Sequence, residues 1–136
     1  MQLSKLIIPI TTTTFDFPGM DGFTVQIAYL TRDELLKIRK KSTHTKFNKR
    51  SHTPEEEVDS DLFQDLYVKA VVKGWSGLTW KYLGRLLPID LSLVEDEDGE
   101  LEYNHDNAME LMRNAPDFDG FVSDTVAELE NFTQSS

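Results

Sequence analysis

Two histidines, His44 and His52, precede three successive glutamates, Glu55, Glu56 and Glu57. Imidazole and carboxylate are zinc donors, but zinc needs three or four ligands held at fixed distances, with outer partners orienting them. These histidines lie among Ser, Thr and Lys residues that offer no rigid frame, so solvated loop histidines are what the composition supports. Asp96, Asp98 and Glu100 repeat the oxygen spacing that opens a calcium loop. With Asp96 in first place, however, Leu101 stands where the loop needs its glycine and Asn107 where it needs its bidentate glutamate. Gly74-Trp75-Ser76-Gly77 has the glycines of a phosphate loop without its Gly-Lys-Ser/Thr or Gly-x-Gly-x-x-Gly pattern. Ser76 and Ser92 have no histidine in a recognisable local motif. The expectation is a protein without catalytic residues, metal or cofactor: a binding protein, not an enzyme.

The stretch around Gly74 organises the chain. Wound at 100° per residue, Phe63, Leu66, Tyr67, Ala70 and Val71 share one face, and Asp61, Asp65, Lys69 and Lys73 form a charged stripe on another. Val68 and Val72 lie off both stripes and widen the apolar arc. Thr53-Pro54-Glu55-Glu56 has the pattern of a helix start, with a threonine cap, proline in the first turn and a glutamate completing the box. The spacing therefore predicts a central helix over 54–73, ended by Gly74 in the left-handed conformation, with Trp75 folded back on Ala70. A short helix follows over 79–86, stopped by Pro88. Trp75, Trp80 and Tyr82 suit either the core or a binding platform.

Ahead of this helix, residues 11–17 and 23–30 are rich in β-branched and aromatic types and flank the turn cluster Pro18-Gly19-Met20-Asp21-Gly22, which predicts a β-hairpin. Residues 1–9 read as a loose or edge segment. Thr31-Arg32-Asp33-Glu34 is a capping box opening a short helix to Lys41, with Leu35, Leu36 and Ile38 as its apolar residues. Residues 42–53 carry almost no apolar content beyond Phe47 and read as a mobile loop. Downstream, 94–102 is an acidic exposed loop with an Asp98-Gly99 turn. Asn104 caps a helix from His105 to Asn114, and 117–132 forms the last helix, with Phe118, Phe121, Val122, Val126 and Leu129 at helical spacing. The fold class expected is α+β: one mainly α-helical domain over 1–136 with an N-terminal β-hairpin. It divides into a hairpin region (1–30), a short helix and basic loop (31–53), a helical core (54–132) and a frayed tail (133–136).

The 136 residues suit one domain with a real core. Without cysteine there is no disulfide framework. No apolar run approaches the roughly 18 residues of a membrane span, and no signal peptide is recognisable, since Pro9 interrupts a short apolar run. The net charge of −10 is uneven: residues 32–50 hold eight of the 14 basic residues against two acids, a local +6, which leaves −16 on the rest. An acidic body argues against generic nucleic-acid binding by the whole domain, which leaves RNA or DNA as a minor alternative for the basic stretch alone, and no membrane partner is expected. The basic stretch holds one aromatic, Phe47, and suits a solvated loop or a dock for an acidic protein surface. A second copy supplies such a surface. Self-association through Arg39, Lys40, Lys41, Lys46, Lys49 and Arg50 is therefore expected, with edge pairing by the hairpin as the alternative.

Val71-Val72-x-Gly74-Trp75-x-Gly77-Leu78, a leucine-rich turn ending at Pro88, Tyr103-Asn104-x-x-Asn107-Ala108-x-x-Leu111-Met112, Pro116-x-Phe118, Phe121 and Phe132 together resemble tail assembly chaperones of long-tailed, siphovirus-like bacteriophages. The resemblance covers roughly residues 62–132 and leaves out the hairpin and the basic loop. It implies a non-enzymatic scaffold in the host cell cytoplasm. Such a scaffold binds the aggregation-prone tape-measure protein, recruits tail-tube subunits and is absent from the finished virion. A groove for a helical client must be apolar and tolerant of register, and the partner-binding residues expected for it are Val68, Val72, Trp75, Leu78, Trp80 and Tyr82. Two other functions fit the acidic composition. One is a host-takeover or DNA-mimic protein using its carboxylates; the other is a structural tail-completion or head–tail joining protein.

Overall fold

β-Branched residues on both sides of a glycine turn make the first two strands. The computed structural model describes residues 1–96, 98–128 and 130–133. Its fold is α+β with the expected N-terminal hairpin: β1 (Ile10–Asp16) pairs antiparallel with β2 (Thr24–Leu30), from Ile10 opposite Leu30 to Asp16 opposite Thr24. Phe23, Val25 and Ile27 are fully buried, while alternate β1 residues face outward. Residues 1–9 form a single 3₁₀ turn at Leu3–Lys5 and are exposed throughout.

After β2 comes α1 (Arg32–Lys41). Its N-terminus carries half of the expected capping box. The Thr31 hydroxyl accepts from the Glu34 N–H at 3.4 Å, but the Glu34 carboxylate takes Lys37 Nζ at 3.1 Å, and the Thr31 N–H donates to Pro9 O. The mobile loop expected next is instead ordered into β3 (Thr43–Asn48) and β4 (Thr53–Val58), a two-stranded antiparallel arm. This removes the first turns of the predicted central helix. Thr53-Pro54-Glu55-Glu56 has a helix-start pattern, yet these residues pair as a strand, with Lys46 opposite Glu55 and His44 opposite Glu57. Lys46 facing Glu55 sets opposite charges across the ladder, which favours the strand pairing. The helix, α2 (Ser60–Val71), starts later and is capped by Asp59, whose carboxylate accepts from the Leu62 N–H at 3.1 Å.

The end of α2 also differs from expectation. Val71 closes the helix, and the chain passes without a loop into β5 (Val72–Ser76), which pairs antiparallel with β2, Val25 opposite Trp75. β2 is thus the central strand of the sheet β1-β2-β5. Gly74 sits inside β5 and is not left-handed; the left-handed glycine is Gly77, at φ +78°, three residues on. Trp75 does not fold back on Ala70. Its ring meets Tyr103 edge-on at 5.0 Å and Phe118 at 6.1 Å, and its Nε1–H donates to Leu101 O at 3.0 Å.

The remaining helices are α3 (Trp80–Leu86), α4 (His105–Asn114), α5 (Pro116–Ala127) and α6 (Glu130–Thr133). Asn104 caps α4 as expected, and Thr79, expected as the first residue of α3, is its cap. The predicted last helix is two pieces, interrupted at Glu128. Leu129 and the tail 134–136 lie outside the described residues, as does Glu97 of the acidic loop. That loop is anchored at Glu100, which bridges to Thr79. A short bond from His105 Nε2 to Asp65 Oδ1, 2.6 Å, ties α4 to α2. Tyr103 donates its hydroxyl to Val72 O at 2.7 Å, and partial burial raises its pKa, so the donor stays protonated. Tyr67 is pushed up too, first by burial and then by the Asp119 carboxylate.

The two β5-region glycines make opposite predictions. A Cβ on Gly77 would lie 1.9 Å from Gly22 O at a positive φ, whereas one on Gly74 would meet only the Gln26 side chain, at 2.7 Å from Oε1. Gly77→Ala should lower the thermal midpoint by the equivalent of at least about 1–3 kcal/mol, from backbone strain alone. Gly74→Ala should cost well under that, because Gln26 can turn aside. Paired thermal melts check both, and equal midpoints would contradict the placement of the turn.

Candidate partner-binding surface

The apolar residues of α1 have few partners. Ile38 packs against the core, but no residue of the helix is fully buried, and Leu35 and Leu36 stand 39% and 47% exposed. What holds α1 is its end. Ser42, 2% exposed, donates its hydroxyl to Ile38 O and Arg39 O at 3.0 Å, and its own carbonyl accepts from the Asp59 N–H.

A groove of about 310 Å³ runs beside the helix, lined by Leu35, Leu36, Arg39, Val58 and Phe63. A second cleft of about 560 Å³ lies along another side, between α1 and the N-terminal segment, with Ile7, Pro9, Leu36 and Lys40 in its wall. Leu36 belongs to both. Leu62, Val58 and Phe47 are further exposed apolar residues on α2 and the arm. Arg39, Lys40 and Lys41 close the last turn of α1, where positive charge also suits the helix dipole. Among the described residues none of these three is in an ion pair. The result is an apolar strip with a basic rim.

The residues expected from sequence to bind a client lie elsewhere. Val68, Val72 and Leu78 have no exposed surface, and Trp75 is 9% exposed. Val68 and Val72, set off the stripe by helical winding, are among the most buried positions because α2 ends at Val71 and Val72 belongs to the sheet. An occupant could touch these four only by displacing the core. Trp80 and Tyr82 are half-buried on α3. Tyr82 donates its hydroxyl to Asp21 O at 2.8 Å and lies under Arg85, whose guanidinium is 5.8 Å from the ring, so it fastens α3 to the β1–β2 turn.

The six basic residues expected for self-association are exposed but divided. Arg39, Lys40 and Lys41 are on α1, Lys46 is on β3, and Lys49 and Arg50 are in the arm's turn. The arm is balanced within the chain: Lys46 faces Glu55, and His44 Nε2 lies 3.8 Å from a Glu57 carboxylate oxygen. Residues 43–58 hold three basic and three acidic residues, so the net positive charge of the stretch falls on α1, where Arg39, Lys40 and Lys41 close the helix. Sequence alone did not single out Leu35, Leu36, Val58 and Phe63 as a surface; nothing in their spacing distinguishes an unpartnered apolar stripe from a packed one.

If the strip serves a partner and not the fold, its side chains carry little stability. Leu35→Ser with Leu36→Ser should move the unfolding free energy by less than about 1 kcal/mol. Val68→Ala should cost about 2 kcal/mol from lost burial and the cavity left behind. Urea unfolding of both variants checks the contrast; a large loss in the α1 variant would make the strip part of the core.

Among the described residues, no helix is long and apolar enough to cross a membrane. A family model described as YdaY prophage protein matches residues 33–136, from the first turn of α1 onward. No curated protein and no solved structure matches the chain. With well over half of its length matched, the chain belongs to the YdaY prophage protein family and is phage-related.

Proposed function

We propose that this phage-related chain is a tail assembly chaperone. It holds the tape-measure protein in the host cell cytoplasm, helps recruit tail-tube subunits, and leaves before the particle is complete. It acts by binding, without catalysis or cofactor. The observation that carries the reading is the apolar strip of Leu35, Leu36, Val58 and Phe63 with its basic rim. Prophage membership supplies the setting. A tape-measure protein is long and helical by the resemblance already drawn, and a helix offers apolar anchors at i, i+3, i+4 and i+7 to a groove of this kind. Arg39 and Lys40 then meet acidic side chains flanking those anchors. The rim favours acidic clients and speeds encounter without fixing register. The client site is thus moved from the arc expected by sequence to α1 and its neighbours, which are accessible.

Co-expression of the tagged chain with the tape-measure protein of the same prophage tests this. The expected outcome is a soluble complex recovered on the tag, with capture reduced at least tenfold in a Leu35→Glu, Leu36→Glu variant, and no chain detected by mass spectrometry in purified particles. Failure to capture the tape-measure protein, or presence of the chain in finished particles, would overturn the reading, the latter in favour of a joining protein. Capture that collapses between 0.1 and 1 M salt but ignores the leucine changes would point to carboxylate or charge recognition instead.

A further inference from the structure

We propose that the free edge of β1 pairs with β1 of a second copy, antiparallel about a two-fold axis at Thr13, to give a continuous six-stranded sheet. This stands apart from the chaperone reading and needs no client.

The ladder fixes which groups are free. The Phe17 N–H donates to Phe23 O at one end of the β1–β2 pair, and the Thr31 N–H donates to Pro9 O at the other. Both pairs continue the register Ile10 opposite Leu30. In an antiparallel ladder hydrogen-bonded pairs alternate, so the odd residues of β1 bond to β2. Ile10, Thr12, Thr14 and Asp16 then turn their N–H and C=O groups outward. Among the described residues these groups meet no partner.

An edge of this kind is a template for another strand unless it is blocked by lysine, proline, a bulge or shortness. β1 is seven residues long, Ile-Thr-Thr-Thr-Thr-Phe-Asp, with no lysine or proline. The irregularity in the sheet lies between β2 and β5, not here. The short helix α6 reaches β1 through Phe132, whose ring meets Phe15 and Tyr29 at 5.4 Å, which puts it over the sheet face and not at the edge.

The sequence of the edge selects a second copy as the occupant. Residues 6–15 contain no charged side chain, in a chain of net charge −10. Two such chains repel least where both present an uncharged strip. Strands whose outward residues are all even must pair even with even. Centred on Thr13, Thr12 of one copy faces Thr14 of the other and Ile10 faces Asp16, each exchanging both main-chain groups, about eight hydrogen bonds in all. Threonines oppose threonines, a favourable cross-strand pair. No like charges face each other along the paired strands. Leu6, Ile7 and Ile8, all more than half exposed, flank the strand and add apolar surface. The contact is isologous and closes at a dimer.

Sedimentation velocity of the full chain at 0.1 and 1 M salt reads the association, and engineered cysteines read the register in a chain that has none of its own. The expected result is a dimer at both ionic strengths. Thr12→Pro should be monomeric with an unchanged circular dichroism spectrum, because the proline removes only an outward N–H. Thr14→Lys, which leaves the backbone as it is, should also be monomeric. Oxidised Thr13→Cys should form a covalent dimer through cysteines facing each other at the axis, and Thr11→Cys, four residues out of register with itself, should not. A monomeric wild type at every concentration overturns the proposal, as do dimers as abundant in Thr14→Lys as in wild type. A dimer that dissociates in 1 M salt overturns it also, in favour of a charged contact at the end of α1.

Discussion

The pairing of β2 with β5 is the constraint on which the rest depends. β2 can be central only if a strand from nearly fifty residues downstream arrives in register, and Val25 opposite Trp75 is that register. It brings Trp75 over the sheet to Tyr103 and Phe118, so one strand pair organises α4, α5 and the loop before them. Phe23, Val25, Ile27, Leu78 and Phe118 are fully buried around it, each contributing on the order of 1.5–3 kcal/mol by burial. Everything between β2 and β5, namely α1, the β3–β4 arm and α2, is a long connection whose ends are pinned by this pair. Closing it costs chain entropy before the contact is made, and burial around the β2–β5 pair must offset that cost.

The parts of the fold legible in sequence are those decided locally. α4 has a capping asparagine, helical spacing of Ala108, Leu111 and Met112, and a proline beyond its end, and it forms over the expected residues. The β1–β2 hairpin is likewise written in its alternation and its glycine turn. The errors fall where two local signals conflict and a distant partner decides. Thr53-Pro54-Glu55-Glu56 carries the signs of a helix start, but β3 supplies Lys46 and His44 across from the glutamates, and strand pairing wins. Val71 and Val72 continue an amphipathic winding, but β-branched residues suit a strand equally well, and β2 claims Val72. Gly74 then needs no left-handed turn; that role moves to Gly77, where the chain passes within reach of Gly22 O.

The candidate surface was illegible for a different reason. Leu35, Leu36 and Phe63 have the spacing of core residues, and periodicity reports which face is apolar, not whether anything covers it. Only the placement of α1, held through Ile38 and Ser42, shows that two leucines remain outside. The reverse holds for Val68, Val72 and Leu78, whose apolar character invites a binding role and whose burial assigns them to stability. The same placement redistributes the charge. The three basic residues of the arm are matched in number by its three glutamates, so the net positive charge of the stretch falls on α1.

The two proposed contacts therefore draw on different parts of the chain. The edge of β1 offers main-chain donors and acceptors, which only an extended strand can satisfy, since a helix has already spent its own. The α1 strip offers apolar side chains and a basic rim, which suit a helix with acidic flanks and give a strand no ladder to join. A helical client and a second copy of the chain thus differ in the surface they require, and neither can substitute for the other. The family match begins at α1 and so takes in the strip but not β1. The strip therefore belongs to the part of the chain described by the family model, and β1 to the part that lies ahead of it.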